Sequence, residues 1–290
     1  MAWRTVVVTK HSKLNYKMNH LVVQTAEKTY QIPMEDIQII LITTTQAVVT
    51  AYVIAETIKR NIKIIFSDIN GQPIGEINQY HTNGRHNRNI SEQIIWTLQR
   101  KNLLWGEIVK RKIENQMQVL FAYQSADREK FQALIAGIKV GDETNREAVA
   151  ARMYFNRLFG NEFVRHEAGI VNAMLDYGYQ ILMAAVAREI VLQGYLSELG
   201  IHHNGAQNDY NLASDLMEPF RPLVDAVAKK HEHETALNLD IKLALVDIIN
   251  QVIEINGQQM LVVNAITILV RDAMNYLNSG LKLPEWRFEI

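Results

Sequence analysis

The pattern of apolar and polar positions changes character once along the chain. Up to residue 79 the apolar residues come in short β-branched runs: TVVVT (5–9), HLVVQT (20–25), KTYQI (28–32), IQIILIT (37–43) and IKIIFSD (62–68). Runs of this length, separated by turn-forming residues, predict β-strands. One longer segment, QAVVTAYVIAETIKR (46–60), has helical spacing instead. In DINGQPIGEIN (68–78), Asn70 and Gly71 stand between two strand-like runs, a hairpin signal because both tolerate positive φ. YHTNGRHNRN (80–89) then has almost no apolar side chains. Beyond it the period lengthens to three and four residues, starting with SEQIIWTLQRKNLLWGEIVKRKIENQMQVL (91–120), where Ser91 is placed as a helix N-cap. The same period runs through residues 145–160, 171–193, 211–230 and 257–280. The predicted fold class is α+β: a small β-sandwich-like N-terminal domain (1–79), a linker (80–89) and a larger all-α C-terminal domain (90–290). No internal repeat or low-complexity segment is visible.

Composition narrows the chemistry. With 290 residues, 48% hydrophobic and 21% charged, the chain is long enough for two globular domains. It has no cysteine, which excludes disulfides, thiolate metal sites and a cysteine nucleophile. The longest apolar stretch, QILMAAVAREIVLQGY (180–195), is interrupted by Arg188 and Glu189, and MAWRTVVVTKHSK does not read as a signal peptide. The expected location is therefore cytoplasmic. The net charge of −1 gives no global basic bias, yet between Tyr80 and Lys112 seven basic residues face two acidic ones. Arg85, Arg88, Arg100, Lys101, Lys110, Arg111 and Lys112 form either a solvated helix face or a phosphate-contacting surface.

The candidate chemistry centres on residues 199–225. Asp215 and Glu218 are three apart and would share one helix face, opposite Leu212, Leu216, Phe220 and Leu223. Pro219 and Pro222 predict a kink or break near Glu218. Taken alone, the two acids read most simply as a solvated face. Upstream, His202 and His203 sit beside the flexible Asn204 and Gly205. An imidazole with one or two carboxylates is a partial shell for Mg²⁺ or Mn²⁺. Spacing does not choose between the two histidines. Glu147 is a further candidate ligand, but three residues after Thr144 it also completes a capping box, which is the simpler reading. KKHEHE (229–234) contains His231 and His233 among alternating charges and reads as solvated surface.

Three segments, NREAVAARMYF (145–155), NAMLDYGYQILMAAVAREIV (172–191) and LGIHHNGAQNDYNLASDLMEPFRPLVD (199–225), resemble the CRISPR-associated integrase family that captures new spacers, the first-numbered Cas protein. The opening MAWRTVVV and the short chain resemble its type II variant. The resemblance implies metal ligands and catalytic residues at Glu147, His203 and Glu218. It selects His203 because the family's histidine follows a glycine by three positions, here Gly200. Asp215 is a supporting acid, and Asn172, Tyr177, Arg152 and Tyr154 are candidate neighbours or substrate contacts. The basic run from Arg85 to Lys112 becomes the expected DNA surface.

The implied activity is metal-dependent insertion of short duplex DNA into a CRISPR repeat array, by attack of a 3′-hydroxyl on a phosphodiester. The implied assembly is a homodimer, formed through the N-terminal domain, that builds a heterohexamer with a small CRISPR-associated partner protein. A type II accessory ring protein and the effector nuclease are further implied partners. Two other functions fit the residues: a nuclease cutting branched DNA in repair, and a non-catalytic DNA-binding scaffold.

Overall fold

The computed structural model describes residues 4–69, 73–77, 86–123 and 128–290. The chain divides into two compact units, Met1–His81 and Thr82–Ile290. The Asn70–Gly71 hairpin signal lies outside the described residues.

Among the described residues the first unit holds eight strands and one α-helix: β1 (Arg4–Val8), β2 (Lys13–Lys17), β3 (His20–Gln24), β4 (Thr29–Pro33), β5 (Ile37–Ile42), β6 (Val48–Val49), α1 (Ala51–Lys59), β7 (Lys63–Ser67) and β8 (Pro73–Ile77). They form two four-stranded sheets, ordered β1-β5-β7-β8 and β4-β3-β2-β6. In the first sheet β1, β5 and β7 are parallel, and all six residues of β5 are buried. A parallel strand covered on both faces reads as an unbroken apolar run, which is why IQIILI shows no alternation. In the second sheet β2 and β3 join through Met18 and Asn19, both at positive φ, a two-residue hairpin turn. Leu14 and Leu21 of one sheet, Ile40 and Ile64 of the other, and Val53 of α1 share one core. Thr50 caps α1 by accepting from the Val53 N–H.

The second unit is mainly helical: α2 (His86–Ile94), α3 (Leu98–Ala122), α4 (Arg128–Ala136), α5 (Arg146–Phe159), α6 (Ile170–Leu192), α7 (Asn211–Leu216), α8 (Arg221–Lys230), α9 (Leu239–Val246) and α10 (Val262–Ser279). Helix α6 is long and apolar enough to cross a membrane by length and composition, but 67% of its apolar window is buried inside the protein. It is the core helix, and α8, α9 and α10 pack against it. Gly178 permits the close approach of α8, since a Cβ there would stand 2.4 Å from Val224.

Three details depart from expectation. The second unit also carries a three-stranded antiparallel sheet, ordered β10-β9-β11, from β9 (Val252–Ile255), β10 (Gln258–Leu261) and β11 (Phe288–Glu289), so it is not purely α. Ser91 lies inside α2 and donates to the Asn87 carbonyl. The residue that caps α3 is Thr97, which accepts from the Arg100 N–H at 3.3 Å. Residues 86–89, read as linker, form the first turn of α2.

Candidate active site

Glu218 owes its position to a broken helix. α7 ends at Leu216, Glu218–Phe220 form a 3-10 turn, and α8 starts at Arg221 with Pro222 in its first turn. Proline's missing N–H and fixed φ end one helix and suit the start of the next. The break is packed in place: Asn115 of α3 donates to the Pro219 carbonyl at 2.7 Å in a buried bond.

Asp215, on the other side of the break, is fully buried and faces the loop before α7. Its carboxylate accepts from the N–H groups of Ile201 (2.6 Å), His202 (3.0 Å) and His203 (3.0 Å). It also accepts from His203 Nδ1 at 2.7 Å. A carboxylate can only accept, so Nδ1 carries the proton and Nε2 keeps its lone pair when the ring is neutral. The Asp215 bond raises the His203 pKa above its ordinary value, against the opposing effect of burial. Gly200 makes the loop possible, since a Cβ there would lie 2.2 Å from the His203 carbonyl and 2.9 Å from Asp215 Oδ2. The two histidines diverge. His202 stacks on Trp105, with centroids 4.2 Å apart and planes 2° apart, whereas His203 meets the same ring edge-on. Lys101 of α3 ties the loop down by donating to the Gly200 carbonyl at 3.1 Å.

Glu147 sits in the first turn of α5 and leaves the capping to another residue. Asp142 accepts from the Arg146 and Glu147 N–H groups at 2.8 and 2.9 Å, and Thr144 donates to Gly137 instead. The Glu147 side chain is thereby free to pair with Lys112 of α3. The Lys112 ammonium lies between Glu147 and Glu218, with an ion-pair distance of 2.5 Å to Glu218 Oε2. Arg221 pairs with the other Glu218 oxygen at 2.8 Å and covers the Tyr179 ring, 4.5 Å from its centroid. Burial disfavours charge on Glu218, but Arg221 and Lys112 outweigh it and hold the carboxyl below its usual range. Burial likewise opposes charge on Lys112, and Glu218 and Glu147 overcome it and raise its pKa. The side chains of Lys112 and Glu218 are 9% and 5% exposed, against 27% for Glu147 and 43% for His203. The site therefore has a buried charged pair, Lys112 and Glu218, beside two more exposed side chains, Glu147 and His203.

The donor chemistry fits a divalent ion. Two carboxylates already share one cation, and an imidazole nitrogen is left free by a carboxylate on its other side, a common arrangement around protein-bound metals. As the side chains stand, no group of three His, Asp or Glu residues is gathered closely enough to hold a metal among the described residues. The cation between the glutamates is the lysine's own.

The sequence matches the family described as CRISPR associated protein Cas1 over residues 5–238. It is 32% identical, over 98% of this chain and 97% of the relative, to the CRISPR-associated endonuclease Cas1 of Neisseria meningitidis serogroup C (strain 8013). The chain belongs to the Cas1 family. Solved structures that share its fold include two with nearly full coverage of this chain. One is a casposase bound to integration product (TM-score 0.81, 20% identity, 97% of this chain and 93% of that one). The other is a Cas6-RT-Cas1–Cas2 complex (TM-score 0.73, 18% identity, 97% of this chain and 36% of that one).

Other residues singled out from the sequence make contacts of their own. Asn172 staples the loop before α6, accepting from Arg165 and donating to the Val164 and Glu167 carbonyls. Tyr177 is fully buried and its hydroxyl pKa is pushed up to about 12 by burial. Tyr154 is buried beside Asp225, whose carboxyl burial pushes up to about 6 despite a hydrogen bond from Tyr179. Arg152 is exposed on α5. KKHEHE closes α8 with a Lys229–Glu232 ion pair at 2.7 Å.

The basic run is not the continuous surface expected. Arg111 is buried between Glu107 and Glu114, Lys112 is buried between Glu147 and Glu218, and Arg100 bonds the Leu277 and Asn278 carbonyls. Lys101 holds the Gly200 loop, and Arg88 pairs with Glu92 at 2.8 Å. Lys110 is half-buried, and Arg85 lies outside the described residues. Lys112, read from the sequence as part of a DNA surface, instead pairs with Glu147 and Glu218, and Arg221, which pairs with Glu218, was not singled out at all. The signal for Lys112 was its place on the buried stripe Trp105, Ile108, Val109, Ile113 and Gln116.

Proposed function

We propose that this Cas1-family protein joins short duplex DNA to a CRISPR repeat, using Glu147, His203 and Glu218 to hold one Mg²⁺ or Mn²⁺. One observation carries the reading: Asp215 turns His203 so that Nε2 is free, while Glu147 and Glu218 already converge on a single cation. When bound, the ion would activate the attacking hydroxyl and offset charge at the phosphorus. The chain's own residues orient and balance. Asp215 fixes the imidazole, Arg221 neutralises one oxygen of Glu218, and the more exposed Glu147 and His203 admit a phosphodiester. The 3′-hydroxyl oxygen forms one P–O bond as another breaks, and its proton passes to the leaving oxygen through solvent. No external energy and no protein nucleophile are needed, which suits a chain without cysteine.

DNA is the substrate, through phosphate contacts by exposed Arg152 with Arg88 and Lys110, and binding weakens with salt. A homodimer joined through the first unit, working with a small Cas2-type partner in a heterohexamer, is the assembly this reading carries. The type II ring protein and effector nuclease are its further partners, and the cytoplasm its location.

The test incubates the protein, its genomic partner, a labelled duplex with free 3′-hydroxyls, a repeat plasmid and Mg²⁺ or Mn²⁺. Joining should require the metal and disappear in Glu218→Ala and His203→Ala. Joining that survives both substitutions removes the site from consideration. Metal-dependent cutting of branched DNA without joining replaces the integrase by a repair nuclease, and unchanged activity of the whole complex in Glu147→Ala favours a scaffold.

A further inference from the structure

Lys112 is the least expected residue in the site. Lysine is seldom buried unless paired, and here its ammonium fills the space between two carboxylates. The ammonium, not the helix, is the movable part. Ile108, Val109 and Ile113 fix α3 in the core, while the lysine stem has four rotatable carbons.

The following rests on the ligand assignment proposed above. A divalent ion held by Glu147 and Glu218 would need the space the ammonium now fills. Charge counting sharpens the conflict. Glu147 and Glu218 are balanced by Lys112 and Arg221. A divalent ion added to these four side chains leaves two positive charges, of which the buried Asp215 carboxylate offsets one, so a net positive charge stands in a largely buried site, which is costly. A DNA phosphodiester entering beside Glu147 and His203 supplies both remedies. It brings negative charge, and its oxygens give the displaced ammonium a new acceptor.

We infer that Lys112 is an internal counter-cation that occupies the metal position in the free protein and yields it when a DNA phosphate enters. Metal binding and DNA binding are then positively coupled through one side chain, and the coupling is reciprocal. Metal-driven cleavage is held back until a nucleic-acid backbone is present. Lys112 is a positioning residue in this scheme, since its partners change while the ligands stay the same.

The test is a Mn²⁺ titration of the metal-stripped full chain, reading free Mn²⁺ by electron paramagnetic resonance at one fixed pH. It is run without DNA and with a short duplex ending in dideoxynucleotides, so that no chemistry intervenes. Wild type should bind Mn²⁺ weakly alone and about tenfold or more tightly with duplex. Lys112→Met should bind Mn²⁺ about tenfold or more tightly than wild type without DNA, and duplex should add little. Lys112→Arg, which keeps the charge, should stay close to wild type. Melting supplies an independent readout: Lys112→Met should lose stability in EDTA and recover it in Mn²⁺. If Lys112→Met does not fold, Lys112→Gln takes its place. DNA-free affinity no higher than wild type in the neutral variant overturns the inference. Glu147→Gln and Glu218→Gln separate this failure from that of the ligand assignment. If they abolish Mn²⁺ binding in the presence of duplex, the ligands stand and only the lysine's role is lost. If they leave it intact, the ligand assignment itself fails.

Discussion

Asp215→Asn is the most informative single change outside the three residues proposed as metal ligands. The replacement keeps shape and volume but removes the charge and turns one of two acceptor oxygens into a donor. In the wild type those oxygens serve the Ile201, His202 and His203 amides and the His203 ring, at 2.6 to 3.0 Å. The amide can still serve the donors on one oxygen, and its NH₂ then faces the others. Leaving a buried donor without an acceptor costs roughly 1–3 kcal/mol, and charge-assisted bonds sit at the upper end. With two such donors stranded, the expected loss is roughly 3–6 kcal/mol in urea unfolding, measured in EDTA with the m-value unchanged.

The His203 ring supplies a second reading. Asp215 raises its folded pKa, so this contribution is fully present below the unfolded value of about 6.5 and fades as pH rises through the folded one. The stability gap between wild type and Asp215→Asn should therefore narrow with rising pH. It should not vanish, because the three amide bonds do not titrate. By NMR, the His203 ring should titrate at lower pH in the variant. A loss under about 0.5 kcal/mol together with an unmoved His203 titration would refute the account of this loop.

Two further outcomes follow from the same geometry. Asp225 has a raised folded pKa of about 6, so the folded state binds its proton more tightly than the unfolded chain does. Stability should fall as pH rises from about 4 to 6, by roughly 3 kcal/mol at most, and Asp225→Asn should flatten that part of the urea-derived pH profile. Gly200→Ala places a Cβ against the His203 carbonyl, so the loop must shift at a cost of about 1–3 kcal/mol. Strand joining should fall far more than the denaturation midpoint, and equal, small effects on both would count against the loop's role in aiming His203.

What the sequence reveals and conceals has physical causes. The parallel strands are plain because IQIILI is buried on both faces and so apolar throughout. The break at Glu218 is plain because two prolines leave the backbone no continuous helix. The β9–β10 hairpin was hidden although Asn256 and Gly257 form its turn at positive φ. There VIEI and QQML are too short to show a period of two, and β10 runs straight into α10, whose helical pattern absorbs it. Capping of α5 was misread for a related reason. The side chain that caps it comes from Asp142, five residues before Glu147, across a backbone that includes Asn145 in the left-handed region. Spacing rules assume regular geometry, and that turn is not regular. Lys112 was misread because a KRK triplet looks like surface, yet a helix turns by about 100° per residue. Adjacent cations therefore face different surroundings, and Lys112 falls on the stripe of Ile108 and Val109.

The broken helix also explains how two acids three residues apart come to different work. On a continuous helix Asp215 and Glu218 would stand side by side, two like charges on one face, and a single cation would serve both. The 3-10 turn separates them. Asp215 faces back to the loop and spends its four bonds on backbone and ring donors, so it carries no cation and orders His203. Glu218 faces α3 and meets Lys112 and Arg221, one per oxygen. A lone buried carboxylate would protonate rather than stay charged. Those two cations keep it ionised, so a carboxylate stays anionic in a place where burial alone would neutralise it.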